Sequence, residues 1–306
     1  MKTTSPDIGI SFQGYLLESR LDRGLNPFRK VFKSGDHALT IFDMELIPDS
    51  FLTDSPGGKV PVEYLYVKES AEAISHGVIP EGCAMDYDEY NPYGIPQIYN
   101  WGISRHFAWY AAEFLDGHLF CEEGEQHPDM DLLLSMYGFI AIVLQRYHLS
   151  RNVPYRICFT PRSILLVSDE DGVPYPKFML GDMFCPSTNS REYPKSYDLR
   201  YLAPDSIFTT YSVTASAALL MLYFVNNRYV FDIRRGMTQD AIWRHIQSHR
   251  HEVFDMGFPD VVSKYIYRCL GPVITRPKMA SEVFNDLPEE SDMNPYPSMI
   301  APFLVQ

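Results

Sequence analysis

The segment Val213–Val225 is one of the two longest apolar runs in the chain, the other being Leu132–Leu144, and each contains 13 residues. A helix that spans a bilayer needs about 20 apolar residues, so both runs have the length of a buried helix instead. Val213–Val225 has almost no polar face, and a helix that is apolar all round lies in the middle of a domain. The second half of the chain is therefore predicted to fold around buried helices.

The first third of the chain has a different pattern, because glycine and proline interrupt it and its apolar segments resemble strands. Strands are predicted at Val31-Phe32, Ala38–Met44 and Phe107–Phe114, and a link between two parts of the chain near Glu113–Gly117. From Asp131 onward the periodicity is helical. Helices are predicted at Asp131–Leu149, Val213–Val225, Gln239–His251, Val261–Leu270 and Lys278–Phe284, and the one at Gln239–His251 is expected to be polar and exposed. This order predicts an α+β chain with a small β-rich part followed by a larger helical part.

Composition narrows the classes of function. The 306 residues are 46% hydrophobic, which is enough for one large domain or two lobes. The net charge of −13 argues against a nucleic-acid or membrane partner, since both need a basic surface, and it favours a basic partner. The N-terminal residues lack the apolar segment of a secretory signal. Five scattered cysteines without a CxxC pair indicate reduced thiols in the cytoplasm: Cys83, Cys121, Cys158, Cys185 and Cys269.

The segment Val153–Leu166 reads VPYRICFTPRSILL and resembles the catalytic loop of protein kinases. In that loop, HRD and then K-P-E-N precede an apolar strand. Here YRI, ending at Ile157, stands in place of HRD, and TPRS, ending at Ser163, stands in place of K-P-E-N after one extra residue. The resemblance implies that the missing Asp would accept the substrate's proton and the missing Asn would hold Mg²⁺. Ile157 has neither a charge nor a lone pair, so it can do neither.

Three more segments of the second half resemble kinase motifs. Asp182, in FMLGDMF, matches the metal-binding Asp of DFG, and the resemblance leaves open whether it holds Mg²⁺ or is satisfied by neighbouring N–H groups. Asp205, in YLAPD, matches the end of the activation segment, and Arg276, in CLGPVITRP, matches its arginine partner. The resemblance implies a partly buried ion pair between Asp205 and Arg276. The run Val213–Val225 is similar to the central helix of kinases, but the Asp that usually begins this helix is absent.

The first half resembles kinases less closely. Leu21–Phe28 stands where a glycine-rich phosphate loop is expected and retains only Gly24. Pro27 has no N–H to offer a phosphate, and Asp22 would repel it. The segment AAEFLDG, which contains Glu113, resembles the connector between the lobes that meets adenine in active kinases.

The lysine that holds the nucleotide phosphates in kinases has two possible placements. In one, LYVK is the lysine-bearing strand and Lys68 is that lysine. In the other, Ala38–Asp43 is the strand and has no lysine, while Glu63–Ser75 is the following helix with Glu69 as its glutamate. The second placement fits the distance from the glycine loop better.

The resemblance covers roughly residues 15 to 287 and implies a bilobal protein-kinase-like fold. It predicts an N-terminal extension at 1–14, an N-lobe at 15–114, a C-lobe at 115–287 and a Pro-containing tail at 288–306. We expect a catalytically inactive pseudokinase that acts as a scaffold or regulator of another protein, such as a kinase or a basic partner. The alternative is a kinase-fold enzyme with repurposed chemistry that uses Asp182 or Glu113, such as atypical phosphotransfer, nucleotidyl transfer or a small-molecule reaction. No cofactor is expected, and ATP with Mg²⁺ would bind at most weakly in a degenerate cleft formed by Asp182, Ser163, Glu113 and Lys68.

Overall fold

The chain divides into two units in the computed structural model. One consists of Met1–His118 and Leu165–Tyr197, and the other of Leu119–Ile164 and Asp198–Gln306. The structure describes residues 6–22, 26–65, 67–68, 96–119, 155–157, 160–168, 174–178, 184–186, 199–201, 210–226, 229–234, 236–258 and 260–277. Within these residues the first unit is built on β-strands, and the helices longer than ten residues lie in the second.

The first unit begins with a hairpin of two short strands, β1 (Ser11–Phe12) and β2 (Tyr15–Leu16). A five-stranded antiparallel sheet follows, with the spatial order β3-β4-β5-β9-β8, and a second hairpin is formed by β6 and β7. The bounds of these strands are β3 Ser19–Arg20, β4 Arg29–Ser34, β5 His37–Asp43, β6 Leu52–Ser55, β7 Gly58–Pro61, β8 Ile98–Ile103 and β9 Phe107–Glu113. The three strands predicted from the sequence are thus confirmed in β4, β5 and β9, although Met44 and Phe114 lie just beyond the ends of β5 and β9.

The five-stranded sheet has two faces with different coverings. Successive side chains along a strand alternate between faces, so Leu39 and Ile41 of β5 share one face while Thr40 and Phe42 share the other. Leu39 and Ile41 belong to a buried cluster on which aromatic side chains of the β1–β2 hairpin pack, and we call this the hairpin face. The opposite face, which carries Thr40 and also Tyr110 of β9, contacts a helical segment and is called the helix face.

The helical segment comprises residues 62–65 and 67–68. The placement of a lysine-bearing strand at Leu65–Lys68 is therefore wrong. Pro61 is the last residue of β7 and immediately precedes the segment, and without an N–H it cannot donate to a further strand ladder. The buried residues Tyr64 and Val67 follow the three-residue spacing of one helix face. The strand of the second placement is confirmed as part of β5 (His37–Asp43), which contains no lysine. Residues 69–75 of its helix, with Glu69, lie outside the described residues and stay a prediction.

The remaining strands are short. The bounds are β10 Gly117–Leu119, β11 Tyr155–Ile157, β12 Ile164–Ser168, β13 Pro174–Phe178 and β14 Phe184–Pro186, and β10, β12 and β13 form one sheet with β12 in the middle. The strand expected after Ser163 is confirmed as β12. The described part of β13 reaches Phe178, the first residue of FMLGDMF, and residues 179–183 lie outside the described part of the chain.

The described helices of the second unit are α1 (Thr210–Asn226), α2 (Gln239–His249) and α3 (Asp260–Cys269). The apolar run predicted as a central helix is confirmed as α1. Its residues 214–222 are buried without interruption, including Thr214 and Ser216. The helix predicted at Val261–Leu270 is confirmed as α3.

The helix α2 differs from its prediction in two respects. It ends at His249 and continues as a 3₁₀ turn, Arg250–Asp255. It is also not a polar helix exposed all round, because Ile242, Trp243 and Ile246 are buried. These residues recur at the spacing of one helix face, so α2 is amphipathic.

Several predictions fall outside the described residues: the helices at Asp131–Leu149 and Lys278–Phe284, and the tail at 288–306. In the part of the chain that the structure describes, no helix combines the length and apolar character needed to cross a membrane.

Candidate functional site

A buried polar cluster lies between the helical segment and the helix face of the sheet. Glu63 is only 7% exposed, and its Oε1 lies 3.2 Å from Nε of Arg29, which begins β4. The hydroxyl of Tyr110 on β9 donates to the same Oε1 at 2.6 Å. We call Arg29, Glu63 and Tyr110 the Glu63 cluster. A carboxylate that is held by a cation and a hydroxyl in this way is strongly fixed in place.

The electrostatics of the cluster keep the Tyr110 side chain neutral. Burial raises the pKa of the Tyr110 hydroxyl far above its ordinary value, and the negative charge of Glu63 raises it further. The positive charge of Arg29 acts in the opposite direction but is the weaker influence. Tyr110 therefore remains a hydrogen-bond donor, and Glu63 acts as the charged acceptor.

The strand beside the cluster offers no cation. Of the seven residues HALTIFD in β5, Thr40 and Phe42 face the cluster, and neither carries a charge. The positive charge beside Glu63 comes instead from Arg29 on the neighbouring strand β4. Lys68, predicted as a phosphate-holding lysine, lies on the helical segment and is half-buried. It therefore does not occupy the position of a strand lysine.

Glu113 closes β9 and is not part of the loop that follows. Its N–H donates to the carbonyl of Gln97 at 2.8 Å, and its Oε2 accepts from the Gln97 N–H at 3.3 Å. The connector predicted at Ala111–Gly117 is therefore shorter, comprising residues 114–116 between β9 and β10. In this connector the N–H of Phe114 donates to the carbonyl of Asp36 at 2.9 Å.

The segment at the expected phosphate loop is tied back to its own sheet. The carboxylate of Asp22 accepts from the Arg20 guanidinium at 2.9 Å and from the N–H of Val31 at 2.7 Å. Pro27 is exposed, and Gly24 lies outside the described residues. Asp22 is thus a structural anchor for the start of β4.

The predicted site residues of the second unit are only partly described. Ser163 is fully buried, and its Oγ lies 3.2 Å from Oγ1 of Thr160. Ile157 is the last residue of β11. Arg276 is 4% exposed, and its Nε donates to the carbonyl of Gly271 at 2.9 Å.

Asp182 and Asp205 lie outside the described residues, so the predicted metal ligand and the predicted ion pair with Arg276 stay predictions. Lys68 and Glu113 belong to the first unit, and Ser163 and Arg276 to the second. Among the described residues, no three or more His, Cys, Asp or Glu side chains are grouped so that they could hold a metal ion.

The chain resembles known proteins in its structure but not detectably in its sequence. No family model matches the chain, and no curated protein matches it. A structure of Rad53 in complex with AMP-PNP superposes with a TM-score of 0.53 at 18% identity, covering 87% of this chain and 64% of that one. Two variants of the Mycobacterium tuberculosis PknI kinase domain give TM-scores of 0.48 and 0.49 at 13% identity, covering 92% of this chain and 97% of theirs.

The chain has an α+β, protein-kinase-like fold. At these identities the likeness concerns the fold alone, and this chain spans less than two thirds of the Rad53 chain that it matches. The sequence predicts a helix from Glu63 in the second of the two placements, but it does not predict the Glu63 cluster. Its partners are 34 and 47 residues away along the chain, so no local pattern joins them. The sequence feature that could have indicated a buried, paired carboxylate is the position of Glu63 directly after the apolar residues Val60-Pro61-Val62.

Proposed function

We propose that this protein is a catalytically inactive kinase-fold protein, a pseudokinase, which acts by binding another protein. The observation that carries the proposal is the composition of β5. This strand pairs with both β4 and β9 inside the sheet, and the helical segment follows it in the chain, yet it contains no lysine. Phosphoryl transfer depends almost entirely on positioning and on neutralising phosphate charge. A strand without a lysine at this place supports the loss of that ability.

The buried glutamate supports the same proposal. The carboxylate of Glu63 accepts from Arg29 and Tyr110, and all three groups are enclosed between helix and sheet. The contact between the helical segment and the sheet is therefore satisfied by the protein's own side chains. This arrangement suits a stable platform for a partner.

The sequence supplies the second argument. Ile157 stands where the kinase-like pattern has its general base, and loss of a general base typically costs about 10²- to 10⁴-fold in rate. Degradation of the phosphate loop, with Asp22 bound to Arg20 and Val31, adds a loss of positioning. We propose that the protein neither transfers phosphate nor needs a nucleotide or metal cofactor.

Thermal unfolding of the full chain with ATP, alone and with Mg²⁺ or Mn²⁺, tests the proposal. A ligand that binds only the folded state at 100 times its Kd stabilises that state by about 2.7 kcal/mol, which a melting curve detects readily. We expect no shift at millimolar ATP under any of the three conditions. A shift that needs the metal ion would contradict the proposal and support a kinase-fold enzyme with repurposed chemistry.

A phosphate-transfer assay completes the test. We expect no radiolabel from γ-labelled ATP on the protein itself or on generic protein substrates. Incorporation that disappears in Asp182→Ala would show that the proposal is wrong, since this variant removes the predicted metal ligand and leaves the Glu63 cluster intact.

A further inference from the structure

The hairpin face of the sheet carries an aromatic surface that is open to solvent at one end. The ring of His37 lies between the rings of Tyr15 and Tyr99, with centroids 5.5 and 5.1 Å away and edge-to-face geometry. Tyr15 comes from the N-terminal hairpin, His37 begins β5 and Tyr99 comes from β8. Tyr99 is 47% exposed and sits at a bulge of its strand. Three distant parts of the chain therefore build one aromatic surface.

Carboxylates surround this aromatic surface. Asp36 is exposed and directly precedes His37, and Glu113 lies opposite His37 in the ladder between β5 and β9. Glu18 reaches the same turn, where its Oε1 accepts from the N–H of Gly35 at 3.2 Å. Partial burial raises the pKa of Tyr99, and the negative charges of Glu113 and Asp36 raise it further. The same two carboxylates therefore give this ring a negative electrostatic surrounding.

The nearest cation on β4 points away from this surface. Lys33 pairs with Ala38, one residue after His37, so it lies on the helix face. Its Nζ stands 4.2 Å from the centroid of the Phe114 ring. Lys30 does share the hairpin face, but it lies opposite Ile41, away from the His37 end, and donates to the carbonyl of Pro6.

We propose that Tyr15, His37 and Tyr99, with Asp36, Glu18 and Glu113 around them, bind an arginine-rich segment of a protein partner. The proposal rests on the proposed protein-binding function and specifies the chemistry of the partner. A guanidinium stacks on tyrosine rings through cation–π attraction and forms charge-assisted hydrogen bonds to carboxylates. Tyrosine and arginine are enriched where protein interfaces gain most of their affinity. The carboxylates repel a nucleic acid or an anionic membrane, which leaves a basic peptide as the matching ligand.

The test uses the full chain and a fluorescent peptide of Arg-Gly repeats, titrated by fluorescence anisotropy at a fixed salt concentration. Tyr99→Leu removes the aromatic ring and keeps an apolar side chain, while Tyr99→Phe keeps the ring. Asp36→Asn removes one charge at the surface. Asp232→Asn removes one exposed charge in the second unit and is the matched control for general attraction to a chain of net charge −13.

We expect Tyr99→Leu and Asp36→Asn each to weaken peptide binding by about two- to five-fold, which is the size of one cation–π or exposed charged contact. Tyr99→Phe and Asp232→Asn should bind like the parent. Equal affinity across all variants, an equal loss in Asp232→Asn, or no binding of the peptide would each overturn this assignment. None of these outcomes affects the proposed function, which fails only on metal-dependent ATP binding or phosphate transfer.

Discussion

The Glu63 cluster gives the sharpest test of how the first unit is held together. Replacing Glu63 with alanine removes the one oxygen that both the Arg29 guanidinium and the Tyr110 hydroxyl contact. All three residues are enclosed between helix and sheet, so water cannot fully replace the lost carboxylate. The substitution leaves a buried positive charge and a buried hydroxyl without this acceptor.

The expected cost follows from that geometry. Removing one partner of a buried ion pair typically destabilises a protein by about 3–5 kcal/mol. The same substitution also removes the hydrogen bond of the Tyr110 hydroxyl. Its energy is not added to this figure, because the contributions of contacts that share a partner are not additive. Total stabilities are roughly 5–15 kcal/mol, so Glu63→Ala should remove a large share of the free energy of unfolding.

Equilibrium unfolding in urea measures this change. Two of the three tryptophans, Trp101 and Trp109, lie in β8 and β9, so their fluorescence reports on this sheet. The matched control is Glu45→Ala, because Glu45 is also a glutamate in a charged contact, 2.8 Å from His106, but is largely exposed. Exposed pairs contribute about 0–1 kcal/mol, so this control should unfold almost like the parent.

A double-mutant cycle isolates the pair itself. Arg29→Ala combined with Glu63→Ala should cost clearly less than the sum of the two single substitutions, since the double variant no longer buries a charge without its partner. If Glu63→Ala changes stability as little as Glu45→Ala, or if the two single costs simply add, the contact between Arg29 and Glu63 does not hold the helical segment to the sheet.

Three further predictions concern packing, capping and the predicted ion pair. A Cβ at Gly102 would stand 2.6 Å from Nε1 of Trp109, so Gly102→Ala should lower the free energy of unfolding by about 1–3 kcal/mol, measured by thermal or urea unfolding. The control Gly57→Ala should leave stability unchanged, because a Cβ there meets no atom within 4 Å. Thr238 caps α2 by accepting from a backbone N–H, and Thr238→Ala should lower the free energy of unfolding by about 0.5–2 kcal/mol; an unchanged urea midpoint would contradict this cap. Asp205→Ala should lower the free energy of unfolding by about 3–5 kcal/mol, because it removes the predicted ion-pair partner of Arg276. A variant that is as stable as the parent would refute this pairing.

Much of the strand and helix framework was predictable because it follows from local patterns. The segment FAWYAAE of β9 is a short apolar run with aromatic residues, and a strand buries both sides of such a run. The helix α1 was predictable for a related reason, since an apolar run of this length fits a buried helix. In both cases the residues that decide the structure are neighbours in the sequence.

Two predictions were wrong because a sequence motif, or the average polarity of a segment, was given more weight than the spacing of individual buried residues. LYVK resembles a strand motif, but the spacing of the buried residues Tyr64 and Val67 favours a helix. In α2, the many polar residues concealed Ile242 and Ile246, four positions apart on one face. The Glu63 cluster was not predictable in this way, because strand pairing brings Arg29 and Tyr110 together only once the sheet has formed.

The two faces of the sheet carry different chemistry, and this separation bears on the proposed binding of a partner. The helix face uses buried charges around Glu63 to fix the helical segment, while the hairpin face presents Tyr99 to solvent beside the exposed Asp36 in the turn before β5. Strands β5 and β9 contribute alternate residues to each face, so a binding surface on one side need not disturb the anchoring contacts on the other. Substitutions at Asp36 and at Glu63 should therefore have additive effects on unfolding, within about 0.3–0.5 kcal/mol. Strong coupling between them would show that the two faces do not act independently, and that the aromatic surface is part of the structural core.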